Sequence, residues 1–278
     1  MVAPLLLTLT FLLLTSPSVF AFHVELSPDV IRPGDPFVVK VTGADYGYVP
    51  TASLKKKTFP FSRYGDDGFV GIGAVDVATK PGVYFLTVKV GKKKKTTKLT
   101  VERTVFKKQK LTLPKDKVSL SRKDTERVKR ENRKLKELFS KVSDRIWHGE
   151  FIMPLLNEIS TDFGTQRIMN RKWKVVHKGV DIRGKEGEEI RAANDGKVVL
   201  AEELFHGGNT VVLDHGQGIY TVYMHLSQYN IEIDDSVSKG DGIGLVGMTG
   251  RSTGPHLHFG VKVMNLNANP VSFMKLPL

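Results

Sequence analysis

The sequence predicts an all-β protein in two parts, joined by a basic helical linker. Short runs of alternating apolar and polar residues, broken by glycine and proline turns, fill residues 22–102 and resume after Phe151. Between them the apolar period lengthens to that of a helix. A chain of 278 residues has room for about two domains. Its 40% hydrophobic content and mean hydropathy of −0.17 are those of ordinary globular protein.

The first segment belongs to neither part. Residues 4–15, PLLLTLTFLLLT, form an apolar run too short to cross a membrane comfortably. SPSVFA follows, with Val19 and Ala21 as the small residues before a cut near Phe22. We expect a secretory signal peptide over 1–21, although its start lacks Lys and Arg; an uncleaved anchor is the alternative. There is no cysteine, so neither a lipidated cysteine nor a disulfide framework is available.

Residues 22–102 read as a small β-sandwich. FHVELSP, PFVVKV, GFVGIGAVDV, GVYFLTVKVG and TTKLTV are strand-like runs separated by Pro-Gly, Asp-Asp-Gly and Gly-Lys turns. An immunoglobulin-like topology is the expected arrangement, by analogy. The lysine runs at 55–57 and 92–95 are expected at hairpins or edges, where charge protects a sheet.

Residues 103–149 form the linker. Val128, Leu135, Leu138, Val142 and Ile146 recur at helical steps, and Ser121 with Asp124 gives a capping signal before them. An amphipathic helix over 121–147 is expected, its basic outer face carrying Arg127, Lys129, Arg130, Arg133, Lys134 and Lys136. Docking against its own catalytic domain is the plainer use of so narrow a stripe; binding the envelope is the other.

The formal charge of +13 is unevenly spread: +5 over 1–102, +10 over 103–145 and −2 over 146–278. The basic middle holds only Phe106 and Phe139 as aromatics and no recognition fold, which argues against nucleic acid. An exported basic segment is expected to meet anionic envelope polymers or an envelope protein. We expect a monomer.

Residues 150–278 form the last part. Runs such as GKVVLAEEL, NTVVLDHGQGIYTVYMHLS and HLHFGVKV predict a compact antiparallel barrel or sandwich. Chemistry concentrates here. HKGVDIRG supplies His177 and Asp181, YMHLS supplies His225, and GPHLHF supplies His256 and His258. In extended backbone, pairs two or four residues apart share a face, so each segment can deliver two side chains to one groove. A helix through HKGVD is disfavoured by Gly179 and by Val175, Val176, Val180 and Ile182 around it.

An isolated His-x-His is more simply a solvated face of a strand. Two imidazoles with one carboxylate, however, make an open zinc site with a position left for water. The helical motif His-Glu-x-x-His is absent, so a proton acceptor would have to come from imidazoles left off the metal. His23, His148, His206 and His215 match no ligand position and are expected at the surface or in turns.

HKGVDIRG, ANDGKVV, TVYMHLS, GDGIGLVGMTGRSTGPHLHF and the earlier STDFGTQR closely resemble the lysostaphin-like, or LytM-type, zinc metallopeptidases, over about residues 150–274. The resemblance implies a lysostaphin-like β-domain with an open groove that cleaves peptide cross-links of peptidoglycan. It implies one zinc per chain held by His177, Asp181 and His258, with His225 and His256 beside it as base and transition-state stabiliser. RKWKVV at 171–176 is bulkier and more basic than the pattern, which touches substrate detail. The implied function is an exported, periplasmic or envelope-associated endopeptidase. The competing function is a non-catalytic module that binds peptidoglycan and activates separate wall amidases, which would be expected to lack ligands. A polyanion-binding surface protein would leave the histidines unexplained.

Overall fold

The computed structural model describes residues 22–45, 47–111, 120–169 and 173–278. The segment expected to be a signal peptide lies outside the described residues, as do Arg171 and Lys172 of the RKWKVV stretch.

Among the described residues, the N-terminal part is two facing sheets built from nine strands: β1 (His23–Ser27), β2 (Val30–Ile31), β3 (Pro36–Thr42), β4 (Thr51–Leu54), β5 (Lys57–Phe59), β6 (Ser62–Tyr64), β7 (Gly68–Ala74), β8 (Gly82–Val90) and β9 (Lys93–Val101). One sheet runs β1-β3-β7-β6 and the other β2-β9-β8-β4-β5. Phe37, Val39 and Val41 leave one face of β3 and meet Phe59, Leu86, Val88 and Leu99 in a common core. The lysine runs fall at the β4–β5 turn and along the β8–β9 hairpin, where Val90 pairs with Lys93.

The linker enters as β10 (Lys108–Leu111), includes helix α1 (Arg122–Leu138) and then runs without regular structure to residue 150. Ser121 caps the helix, its hydroxyl accepting from the Asp124 N–H at 3.1 Å. The helix stops nine residues before the expected end at 147. Ser143 and Ile146 instead bond through their backbones to Gln217 and His215, and Trp147 is fully buried. Burying that indole under the sheet outweighs one more turn of helix, and it leaves Val142 half exposed.

The C-terminal part comprises β11 (Ile159–Thr161), β12 (Gln166–Met169), β13 (Trp173–Val176), β14 (Val180–Arg183), β15 (Glu189–Arg191), β16 (Gly196–Leu204), β17 (Gly208–Gly216), β18 (Ile219–Gln228), β19 (Ser236–Val237), β20 (Gly242–Val246), β21 (His256–Val263), β22 (Leu266–Ala268) and the short helix α2 (Pro270–Phe273). Its main sheet runs β11-β14-β21-β18-β17-β16-β19. Strand alternation, with a bulge between Val198 and Leu200, divides that sheet's apolar residues between two covers. Val198, Val211, Leu213, Ile219 and Tyr223 enter the large core, while Leu200, Val212, Tyr220 and Val222 face the other way. Onto this second face α1 lays Leu135, Leu138 and the following Phe139.

The helix is fixed by polar contacts as well. Lys134 pairs with Glu202 at 2.5 Å, the Arg127 guanidinium donates to the Glu203 carbonyl at 3.0 Å, and Glu131 accepts the Phe205 N–H at 3.0 Å. The basic linker helix therefore docks on its own chain. His215, expected at the surface, is fully buried: its Nδ1 lies 2.7 Å from the Asp195 carbonyl and its Nε2 2.7 Å from the Thr221 hydroxyl. A strand interior that supplies a partner for each ring nitrogen accommodates a neutral imidazole.

Candidate metal centre and active site

The site is assembled by strand register. β14 and β21 pair antiparallel so that Asp181 stands opposite His258, and Arg183 opposite His256. Period-2 alternation then places His256 and His258 on one face while Leu257 and Phe259 are fully buried on the other. His177 arrives from β13, four residues ahead of Asp181, its backbone N–H bonded to the Thr165 carbonyl at 2.9 Å. Gly179 is required between them. A Cβ there would stand 2.4 Å from the Phe259 carbonyl oxygen and 2.8 Å from His258 Nε2.

Three donor atoms converge. His177 Nε2 lies 2.9 Å from Asp181 Oδ1 and 3.0 Å from His258 Nδ1, and His258 Nδ1 lies 2.9 Å from Asp181 Oδ1. Zinc ligands roughly 2.0–2.1 Å from a tetrahedral ion stand about 3.3 Å from one another. The observed triangle opens to that size with shifts of a few tenths of an ångström, so these residues fit a metal. His177 is oriented from behind, its Nδ1 3.1 Å from the Asp162 carbonyl, which leaves Nε2 as the lone pair turned inward.

Burial alone would raise the Asp181 carboxyl. Hydrogen bonds with His177 and His258, and their charges, carry it well below the ordinary carboxylate range. Asp181 therefore stays anionic, and its second oxygen is taken by the Arg167 guanidinium. Burial pushes His258 down against the pull of Asp181, favouring the neutral imidazole that a metal needs.

The remaining two histidines line the same site. The His225 ring centroid is 4.8 Å from that of His256 and 6.2 Å from that of His258. His225 has φ +69°, left-handed for a residue with a side chain, and its N–H bonds the Gly207 carbonyl at 2.8 Å. Its Nδ1 is 2.8 Å from the Thr249 carbonyl, and His256 Nδ1 is 2.9 Å from the Gly254 carbonyl. A carbonyl can only accept, so both rings carry their proton on Nδ1 and keep Nε2 as a base. His256 Nε2 faces the cluster, 3.7 Å from Asp181 Oδ1. Burial first, then the charges of His256 and His258, push His225 down to about 3.

The structure thus places His177, Asp181, His225, His256 and His258 around one point. Sequence reasoning assigned no role to Arg167, although it ends the STDFGTQR stretch, nor to Thr249, whose carbonyl orients His225.

Residues 175–271, which hold the whole cluster, match the sequence profile of peptidase family M23. The chain carries an M23 peptidase domain. It is 37% identical over 126 residues to the DD-carboxypeptidase/endopeptidase Mpg of Neisseria meningitidis serogroup B, covering 45% of this chain and 29% of that protein. It is 38% identical over 118 residues to the peptidoglycan DD-endopeptidase ShyA of Vibrio cholerae, covering 42% of this chain and 27% of the relative. The chain therefore spans less than a third of either relative's length. A crystal structure described as a peptidase M23 from Pseudomonas aeruginosa superposes with a TM-score of 0.67 at 25% identity, covering 87% of this chain and 94% of that one. That likeness extends beyond the M23 domain into the N-terminal sheets.

Proposed function

We propose that this protein is an exported zinc endopeptidase that hydrolyses peptide cross-links of bacterial peptidoglycan. The observation that carries the reading is the complete donor triangle of His177, Asp181 and His258 with two further imidazoles, each anchored through Nδ1, beside it. A non-catalytic module has no need of such a set. The names of the relatives supply the substrate class, and the apolar run ending in SPSVFA supports export to where that substrate lies.

Bound zinc would act as a Lewis acid, polarising the scissile carbonyl and acidifying a water molecule. The chain's own groups do the rest. His225, held neutral by burial, offers Nε2 to receive the proton of the attacking water. His256, aligned by Gly254 and 3.2 Å from the Ser252 hydroxyl, faces the developing oxyanion. Arg167 holds the second oxygen of Asp181.

The test combines metal content with turnover. We expect about one zinc per chain in the intact protein and its loss in His177→Ala, Asp181→Ala and His258→Ala. Purified sacculi should yield muropeptides cut at their cross-links, and His225→Ala and His256→Ala should keep the metal yet lose roughly 100- to 10,000-fold in rate. Full zinc in all three ligand variants, or intact sacculi with a zinc-loaded protein, would reject the assignment.

A further inference from the structure

Arg251 lies on the loop between β20 and β21 that orients both free imidazoles. Two residues before it, the Thr249 carbonyl holds His225; one residue after it, Ser252 reaches His256. The loop is tied to its neighbours at this point. Arg251 N–H bonds the His206 carbonyl at 3.0 Å, and the Thr249 hydroxyl donates to the Leu226 carbonyl at 2.7 Å. Gly250, at φ +70°, approaches the facing loop so closely that a Cβ would lie 2.2 Å from the Gly208 nitrogen.

The Arg251 side chain is half-buried, and among the described residues no carboxylate or carbonyl bonds its guanidinium. Arg167 differs, because its charge is committed to Asp181. His206, on the facing loop, has its Nδ1 buried without a partner among the described residues. Burial and the charge of Arg167 both press on Arg251, and burial followed by the charge of Arg251 pushes His206 down to about 4. A half-buried cation beside another cation is a costly arrangement unless an anion completes it. Rigid mounting is what a recognition group needs.

We propose that Arg251 binds a free carboxylate of the substrate peptide beside the scissile bond. This rests on the endopeptidase reading and narrows it. When a bridge joins D-alanine to diaminopimelate, the carbon bearing the leaving amine also bears a free carboxylate. In a glycine bridge the corresponding carboxyl is consumed in the next peptide bond. Arg251 therefore selects carboxylate-bearing bridges over glycine bridges.

The experiment uses the full zinc-loaded chain and two dimeric stem peptides bridged from D-alanine to diaminopimelate, one with that carboxylate free and one with it amidated. Binding is measured by calorimetry on uncleavable forms with CH2–NH in place of the bridge amide, and turnover on the natural amides. A charge-assisted pair at a half-buried site is expected to give the free acid an advantage of about 10- to 100-fold in Kd. Arg251→Gln should abolish that preference while binding the amidated peptide as the intact protein does, and Arg251→Lys should restore part of it. No preference in the intact protein, or equal losses on both peptides in both variants, overturns the proposal. The preference without any cleavage overturns the endopeptidase reading and leaves the carboxylate site standing; cleavage without the preference does the reverse.

Discussion

His177 with Asp181, and His256 with His258, could be picked out because each pair obeys the geometry of extended backbone, whereas His225 has no such partner and its role came from the family resemblance. Arg167 could not be picked out, since nothing in an arginine fourteen positions before Asp181 announces that the two will meet from strands of different sheets. Its contact predicts a specific loss. Arg167→Met should leave one oxygen of Asp181 without its donor and weaken metal retention by about 10- to 100-fold. Competition against a chelator measures this, and retention equal to the intact protein would deny Arg167 that role. His215 was misread because a lone histidine carries no spacing signal, and its partners are assembled only by folding. Burial, partly offset by the Asp195 carbonyl, depresses it from 6.5 to about 4. The unfolded chain therefore binds a proton there that the folded chain does not. Its contribution is complete above pH 6.5 and is lost as pH falls towards 4, a change of up to about 3 kcal/mol. Urea unfolding between pH 7.5 and 4.5 should show a shallower pH dependence in His215→Gln; an unchanged slope would remove His215 as the source.

At the scale of elements, the start of α1 was legible and its end was not. Ser121 and Asp124 are a local signal, satisfied within one turn. The end is decided elsewhere, by the pocket that takes Trp147 and by backbone bonds to the β17–β18 turn. Val142 and Ile146 kept the helical period without belonging to the helix. The docked helix also reaches towards the site through Glu131. This carboxylate holds Phe205 N–H on the loop whose Gly207 carbonyl receives His225 N–H. Phe139, stacked edge-on against Tyr220 at 5.4 Å, anchors the same helix. Phe139→Ala should cost about 3–5 kcal/mol, the usual loss for emptying a buried aromatic site. Glu131→Ala should cost about 1–3 kcal/mol by orphaning the Phe205 amide. Chemical denaturation checks both. A cost below about 0.5 kcal/mol for each would mean that the helix rests on the sheet without supporting it.

Across the whole molecule, strands and turns in both β-parts followed from local pattern, whereas the contact between the parts did not. GFVGIGA is buried along its whole length, as expected of a strand covered on both faces. Phe69 faces the N-terminal core, while Val38, Val70, Ile72 and Ala74 join the core built around Phe151, Ile182 and Phe259. Polar contacts reinforce the junction: Asp35 accepts from Asn269 at 3.0 Å and from the Ser272 hydroxyl at 2.7 Å, and the Gln217 amide donates to the Val70 carbonyl at 3.3 Å. Two independent domains would lose stability separately, but a shared core couples them. Ile72→Ala, in a strand of the N-terminal part, should remove about 2–5 kcal/mol. If the core is one cooperative unit, hydrogen exchange should quicken as much in Ile219–Gln228 of the catalytic sheet as in Gly68–Ala74 around the substitution. Faster exchange confined to residues 22–102 would show that the two parts open independently, and that the N-terminal sheets do not stiffen the strand that carries His225.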